Sequence, residues 1–309
     1  MLAVTFLGTS AARPTVERNV TSVSVTREGE TFMFDCGEGT QRQMMRYGVG
    51  FSLNDIFFTH FHSDHVLGVT GLVRTLGLQG RTDPMHFYGP RGAKDLLTQA
   101  VSFGVERTPF EIHIEEVKPG DCLDRGEYEI RVFPTDHTRH SVGFVIAEHQ
   151  RLGRFNPEKA RELGIPEGPL WGQIHAGQPV TLDDGTEITP DRLVGEPRPG
   201  RKVVLTGDTK PCESVVEASE EADLLIHEAT FGDDEADRAD ETNHSTAAGA
   251  GKVALAAHVR RLVLSHVSAR YSRDFEPLLE QARAVFPETI VAKDGMTIDV
   301  PFPDAEDQG

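Results

Sequence analysis

The stretch Thr59-His60-Phe61-His62-Ser63-Asp64-His65 decides how this chain is read. It sets three imidazoles and one carboxylate within six residues, between an apolar approach, Asp55-Ile56-Phe57-Phe58-Thr59, and an apolar exit over residues 66–76. The approach reads as a short buried strand and the exit as a helix with an apolar stripe. The loop between them stands at a strand's C-terminal end, where α/β sheets carry their sites. Imidazole nitrogen and carboxylate oxygen suit zinc and similar divalent ions. A histidine-bearing surface turn is the plainer alternative. It fits poorly, because crowded imidazoles repel one another once protonated.

Outward from this loop the strand-end pattern recurs. Towards the N-terminus, Val4-Thr5-Phe6-Leu7 reads as a first strand and not as a signal peptide. Residues 20–26 alternate as a second strand, and residues 31–35 form a third that ends in Asp35. Asp35 either orients the metal loop or caps the helix opening at Cys36-Gly37-Glu38-Gly39-Thr40. Towards the C-terminus, residues 85–90 read as a strand and 91–103 as a helix, while 112–117 and 128–133 alternate like strands of a second sheet. His137 follows the latter strand, and His140, three residues on, competes for the same role. From about 150 to 200, Pro and Gly are frequent and long apolar runs are scarce, which reads as an inserted arm with little core of its own. Strands then lead into Gly207-Asp208-Thr209, into His227-Glu228-Ala229-Thr230 and into His266, and Asn243-His244-Ser245-Thr246 starts a helix. Residues 303–309 read as a disordered acidic tail.

Counted as ligands, His60, His62 and His137 supply three nitrogens to one metal. Asp64, His65 and His266 supply three ligands to a second, and Asp208, short and anionic, bridges both. Two metals about 3.5–4 Å apart clamp a transferring group.

Composition sets the limits. The 309 residues allow one large domain or two modest ones. No run of 18 apolar residues exists, so no membrane partner is expected. The cysteines, Cys36, Cys122 and Cys212, are widely spaced and odd in number, which suits a reducing cytoplasm. Acidic residues number 49 against 31 basic ones, a net charge of −18, and only seven of the basic residues are Lys. This composition resembles that of cytoplasmic proteins of salt-loving archaea, whose self-repulsion is screened at high salt. Such a charge argues against a nucleic-acid partner unless a local patch overrides it.

The loop of residues 59–65, with His137, Asp208 and His266 following, resembles the metallo-β-lactamase superfamily. The resemblance implies an α/β fold of four layers, an αββα sandwich with its metals at one edge of two sheets. Phe6-Leu7-Gly8-Thr9, Pro14-Thr15, Arg18-Asn19, Phe34-Asp35-Cys36-Gly37-Glu38-Gly39-Thr40-Gln41, His244-Ser245-Thr246 and Ser265-His266-Val267-Ser268-Ala269-Arg270-Tyr271 narrow it to a resemblance to the ribonuclease Z family. Val16 stands where that family often carries Lys. The resemblance implies one metallo-β-lactamase domain over residues 1–309, with residues 150–200 as an exosite arm that grips the tRNA elbow through Gly164, Pro166, Gly168 and Pro169. It further implies a homodimeric, cytoplasmic endonuclease with two Zn2+ per subunit that removes the 3′ trailer from precursor tRNA. The metal ligands would be His60, His62, Asp64, His65, His137, Asp208 and His266. Asp64, Glu228 and His244 would be catalytic, Arg18 and Asn19 would meet the tRNA 3′ region, and Arg270 would bind a phosphate. A small-molecule phosphodiesterase or lactonase on the same fold is the alternative. A non-catalytic RNA-binding protein is a third reading, against which the intact ligand set argues.

Overall fold

Short apolar runs dominate the strands of a computed structural model that describes residues 1–104, 108–182 and 184–303. They assemble into two seven-stranded sheets. The first runs, in spatial order, Thr297–Asp299, Leu2–Gly8, Ser22–Arg27, Glu30–Phe34, Leu53–Phe57, Met85–Gly89 and Ile112–Glu116. The second runs Thr289–Val291, Leu262–Ser265, Leu224–Glu228, Lys202–Leu205, Val142–Glu148, Tyr128–Pro134 and Cys122–Asp124. Strands in the middle of each sheet pair in parallel, as Glu30–Phe34 with Leu53–Phe57 and Lys202–Leu205 with Leu224–Glu228 do. Parallel strands covered on both faces need continuous apolar runs, and Leu224–Glu228 is buried at every position.

The inner faces of the two sheets share a core built on Phe32, Phe34, Phe57 and Phe144. Phe34 and Phe57 stack with ring centroids 5.2 Å apart, and Phe57 stacks on Tyr88 at 4.8 Å. Each fully buried aromatic of this kind contributes about 2–3 kcal/mol. Helices Thr40–Tyr47, Gly68–Leu78 and Ala93–Ser102 bury Met44, Leu72 and Leu97 against the outer face of the first sheet. Helices Glu213–Ser219, Ala247–Ala256 and Glu276–Val285 cover the second in the same way. The result is the expected αββα sandwich.

One strand belongs elsewhere than expected. Ile112–Glu116 pairs in parallel with Met85–Gly89 and so lies at the edge of the first sheet, not in the second. Alternation marks a strand with one wet face and is silent on its partner. The helix Ala93–Ser102 between the two strands makes a crossover, which returns the chain to the same sheet.

The metal loop is seated by two glycines. A Cβ on Gly68 would stand 1.9 Å from the Gly37 carbonyl oxygen, and one on Gly37 would stand 2.4 Å from the Asp64 carbonyl oxygen. Only hydrogen fits at either position, so the loop packs directly on the backbone that follows Glu30–Phe34.

By its contacts the chain divides into one unit of Met1–Ala147 with Lys202–Pro301, which holds both sheets, and a second containing Glu148–Arg201. The second unit carries two short helices, Pro157–Glu162 and Pro169–His175, and the hairpin of Val180–Thr181 with Glu187–Ile188. Little core was expected of it. It has a small one, of Ala160, Ile165, Ile174, Val180, Ile188 and Leu193. Within it the Arg201 guanidinium pairs with Glu148 at 2.7 Å, both side chains buried. Of the expected acidic tail, residues 304–309 lie outside the described residues. Among the described residues, no helix is long and apolar enough to cross a membrane.

Candidate metal centre

The loop after Leu53–Phe57 carries His60, and the single turn Ser63–Val66 presents Asp64 and His65 with His62 at its N-cap. His137 follows Tyr128–Pro134, Asp208 follows Lys202–Leu205, and His266 follows Leu262–Ser265. His266 holds a left-handed backbone (φ +53), as does Asp35 (φ +56), an unfavourable conformation for non-glycine residues that gathers at functional sites. The fold brings all seven together. The donor atoms of His60, His62, His137 and Asp208 lie within 4.8 Å of one another, and so do those of Asp64, His65 and His266. Asp208 faces both sets. Its Oδ2 stands 3.5 Å from His60 Nε2 and 3.6 Å from His137 Nε2, and its Oδ1 3.4 Å from His65 Nε2 and 3.3 Å from His266 Nε2. His140 is exposed and outside both sets, so His137 takes the role for which the two competed.

The hydrogen bonds around the cluster fix which nitrogen of each ring faces inward. Asp35 accepts from the Thr59 backbone N–H (2.8 Å), the Thr59 hydroxyl (2.9 Å) and His65 Nδ1 (2.7 Å). With its proton given to Asp35, the Thr59 hydroxyl is left to accept from His60 Nδ1 at 3.0 Å. One carboxylate thereby orients two imidazoles, and Asp35 is an orienting group, not a cap; Gly39 is the N-cap of Thr40–Tyr47. His137 Nδ1 donates to the Asn243 carbonyl at 2.8 Å. The Thr230 hydroxyl, whose proton goes to Glu228 Oε2 at 2.8 Å, accepts from His266 Nδ1 at 2.9 Å. The inner nitrogens of these four rings are then lone pairs: His65 Nε2 faces His266 Nε2 at 3.3 Å, and His137 Nε2 stands 3.1 Å from His62 Nδ1. His60 Nε2 and Asp208 Oδ1 are buried with no hydrogen-bond partner. Converging lone pairs and orphaned acceptors are what a cation satisfies, so the donor set fits divalent metal of the zinc type.

A cavity of about 280 Å3 opens over this cluster, lined by Asp64, Asp208, His244, His266, Phe231 and Arg270 among others. His244 Nδ1 and Glu228 Oε1 are 2.7 Å apart, which leaves Nε2 as the ring's second donor on the cavity side. Burial alone would hold the His244 imidazole down. The charge and hydrogen bond of Glu228 prevail and push it up to about 9. At neutral pH the ring is charged and holds a proton to give. Arg270 stands at the rim, paired with Glu235 and lying 5.4 Å over the Phe231 ring.

Two residues expected at the substrate are tied into the loop that carries them, Arg18 buried and Asn19 half-buried. Arg18 is buried, its Nη1 donating to Thr9 Oγ1 at 2.7 Å and to the Ala292 carbonyl at 2.6 Å. Asn19 donates from Nδ2 to the Glu38 carbonyl at 2.8 Å and from its backbone N–H to Asp294 Oδ2 at 2.6 Å. Both shape the loop, and the two interior acceptors with nearby Asp294 offset the cost of taking the Arg18 charge out of water. Asp294, which also accepts from Thr9 Oγ1 and Gln43 Nε2, escaped the sequence reading. It follows Ala292-Lys293 beyond the strand Thr289–Val291, so the strand-end pattern used for the ligands would have found it. Gly164, Pro166, Gly168 and Pro169 are exposed in the second unit, around the start of Pro169–His175.

The four layers and the two-set centre at one edge of the sheets define a hydrolase of the metallo-β-lactamase fold. The comparisons with known proteins place it more closely. The chain is 58% identical over 301 residues to a ribonuclease Z of Gemmatimonas aurantiaca, covering 97% of this chain and 96% of that one. It is 50% identical to a ribonuclease Z of Haloferax volcanii, covering 100% and 98%. The crystal structure of the short form of human tRNase Z superimposes with a TM-score of 0.71 at 29% identity, covering 97% of this chain and 100% of that one. A family profile described as Anti-Pycsar protein Apyc1 matches residues 2–154. The chain belongs to the ribonuclease Z family.

Proposed function

We propose that this chain is a zinc-dependent endoribonuclease that removes the 3′ trailer from precursor tRNA, cutting 3′ to the discriminator nucleotide and leaving a tRNA 3′-hydroxyl. One observation carries the reading: His244, held by buried Glu228, lines a cavity with members of both donor sets, in a chain that matches ribonuclease Z relatives from end to end. His60, His62 and His137 would hold one zinc ion and Asp64, His65 and His266 a second, with Asp208 facing both sets, and the ions would supply polarisation of the phosphodiester and an acidic water. Asp64 orients the attacking water and takes up its proton. Glu228 keeps His244 charged, and His244 Nε2 delivers a proton to the departing 3′-oxygen. The oxygen of water joins phosphorus, the P–O3′ bond breaks, and the trailer leaves with the phosphate.

The unit containing Glu148–Arg201 serves as an inserted arm for the tRNA elbow. Its exposed Gly164, Pro166, Gly168 and Pro169 offer shape more than charge, the two prolines having no N–H to donate. Two of its arginines are engaged within the unit, Arg161 with Glu167 at 2.6 Å and Arg151 over the Phe302 ring at 3.5 Å. Deleting residues 164–169 should therefore raise the precursor-tRNA Kd at molar KCl more than removing the charges of Arg151 and Arg154. Unchanged affinity on that deletion removes the arm from the reading. A homodimer at work in the cytoplasm completes the proposal, with sedimentation of the purified protein as the test of its mass.

The test of the whole is cleavage of a precursor tRNA by the zinc-loaded protein, with the product's 3′ end mapped. A second reading, a small-molecule phosphodiesterase, keeps the fold and the metal centre and changes the substrate, and the family profile matches only residues 2–154. That stretch stops short of Asp208, Glu228, His244 and His266. Turnover of bis-p-nitrophenyl phosphate without any cleavage of precursor tRNA would favour it.

A further inference from the structure

Histidines apart, the charged side chains lining the cavity fall into two groups. Its acids, Asp64 and Asp208, both belong to the metal donor sets. Its arginines, Arg13, Arg238 and Arg270, stand around the rim of a protein whose net charge is −18. Arg270 is neutralised by Glu235. Arg13 and Arg238 are different: both are exposed, and neither forms an ion pair with a carboxylate among the described residues. In an acidic molecule, whose helix Ala236–Glu241 itself carries Asp237, Asp240 and Glu241, two cavity guanidiniums without an ion-pair partner are groups that a phosphate backbone can engage.

The fold places the Arg238 guanidinium and the backbone that carries Arg13. Arg238, on the helix Ala236–Glu241, lies 5.8 Å over the ring of buried Phe231, which it shares with Arg270. The Phe231 ring is 6.1 Å from that of His244, so Arg238 belongs to the side of the cavity from which the proton is delivered. Arg13 is carried beside Asp64. The Ser10 hydroxyl donates to its carbonyl at 2.8 Å, and the adjoining Ala12 N–H donates to Asp64 Oδ2 at 2.7 Å. The segment that presents Arg13 is thus tied to the carboxylate that handles the attacking water.

We infer that Arg238 and Arg13 bind the backbone phosphates on either side of the cleaved bond. Arg238 takes the phosphate 5′ to the discriminator nucleotide, because His244 beside it protonates the oxygen that stays with the tRNA. Arg13 takes the phosphate that follows the first trailer nucleotide, on the side of Asp64. A guanidinium fork matches phosphate oxygens in pairs, and such contacts set the register of the strand without reading its sequence. Together the two would hold the chain across the metal centre and fix which phosphate lies over it. Neither touches the reacting atoms, so both are positioning residues for the reaction proposed above, and the inference rests on that reading.

The experiment is a set of thermodynamic cycles on the zinc-loaded protein, with a precursor tRNA whose bridging 3′-oxygen at the scissile bond is replaced by a methylene so that it binds uncut. Each flanking phosphate is neutralised in turn as a methylphosphonate, and Kd is measured by fluorescence anisotropy for wild type, Arg13→Ala and Arg238→Ala. Each contact should weaken wild-type binding about three- to tenfold when lost, as fits a solvent-exposed charge-assisted pair. Neutralising the discriminator-side phosphate should cost wild type that factor and Arg238→Ala nothing further. The trailer-side phosphate should behave likewise with Arg13→Ala. Each substitution should lower the slope of log Kd against log salt by about 0.7, the value for one phosphate on a single strand. On cleavable substrate, both variants should cut at additional positions beside the normal one. Additive losses, or coupling of each arginine to the other's phosphate, overturn the inference. If wild type cuts correctly and the cycles show no coupling, only this inference falls. If wild type does not cut precursor tRNA at all, the reading beneath it falls first.

Discussion

Replacing Asp35 by Asn tests the architecture of the metal centre at the point where one group controls two ligands. Asn fills the same volume and tolerates the left-handed backbone that Asp35 adopts (φ +56), so the backbone is not perturbed. What changes is the proton pattern. Asp35 Oδ1 accepts from the Thr59 N–H, and Oδ2 accepts from the Thr59 hydroxyl and from His65 Nδ1. If the amide oxygen stays towards the Thr59 N–H, the NH2 group confronts two donors. His65 must then move its proton to Nε2, the atom that faces His266 Nε2 at 3.3 Å and Asp208 Oδ1 at 3.4 Å, and so loses its inward lone pair. The Thr59 hydroxyl must turn its proton towards His60 Nδ1, which drives the His60 proton inward as well. If the amide flips, the buried Thr59 N–H is stranded at a cost of about 1–3 kcal/mol. Loss of a group that orients a metal ligand lowers affinity by roughly 10–100-fold, or about 1.4–2.7 kcal/mol. Here two ligands depend on it, so the upper figure is expected. Zinc affinity measured by chelator competition, with zinc per chain from elemental analysis, is the assay. Wild-type affinity and stoichiometry in the Asn variant would refute the hydrogen-bond assignment.

Three further outcomes are expected. His244→Ala should slow precursor-tRNA cleavage by about 10²–10⁴-fold with zinc content intact; loss of zinc would make His244 a ligand in place of the proton donor. The melting temperature should rise between low and molar KCl, because screening relieves the repulsion of 18 excess negative charges; a flat response would sink the salt-loving reading. In a thiol titration of the native protein at pH 8, exposed Cys122 should react and Cys36 should not until the chain unfolds, since burial pushes the Cys36 thiol up to about 12 and leaves it uncharged. Prompt reaction at Cys36 would contradict its place in the core.

Much of the centre was legible because its chemistry is local. The residues 60–65 are held on one loop, and His137, Asp208 and His266 each follow a strand, so a repeated reading of strand ends recovered seven donors without any knowledge of distance. The tertiary structure decided everything that depends on which of two neighbours faces inward, or on pairing between remote segments. His137 and not His140 reaches the centre, because the Asn243 carbonyl, 106 residues away, fixes its ring. Arg18 is interior because Ala292, 274 residues away, accepts its proton. The strand Ile112–Glu116 joins the first sheet because a crossover helix returns it there, which alternation does not encode. Periodicity and spacing report the environment along a single element. The proton pattern around Asp35, the two-sided reach of Asp208 and the rim of Arg13 and Arg238 arise only where elements distant in sequence are packed to within a few ångströms.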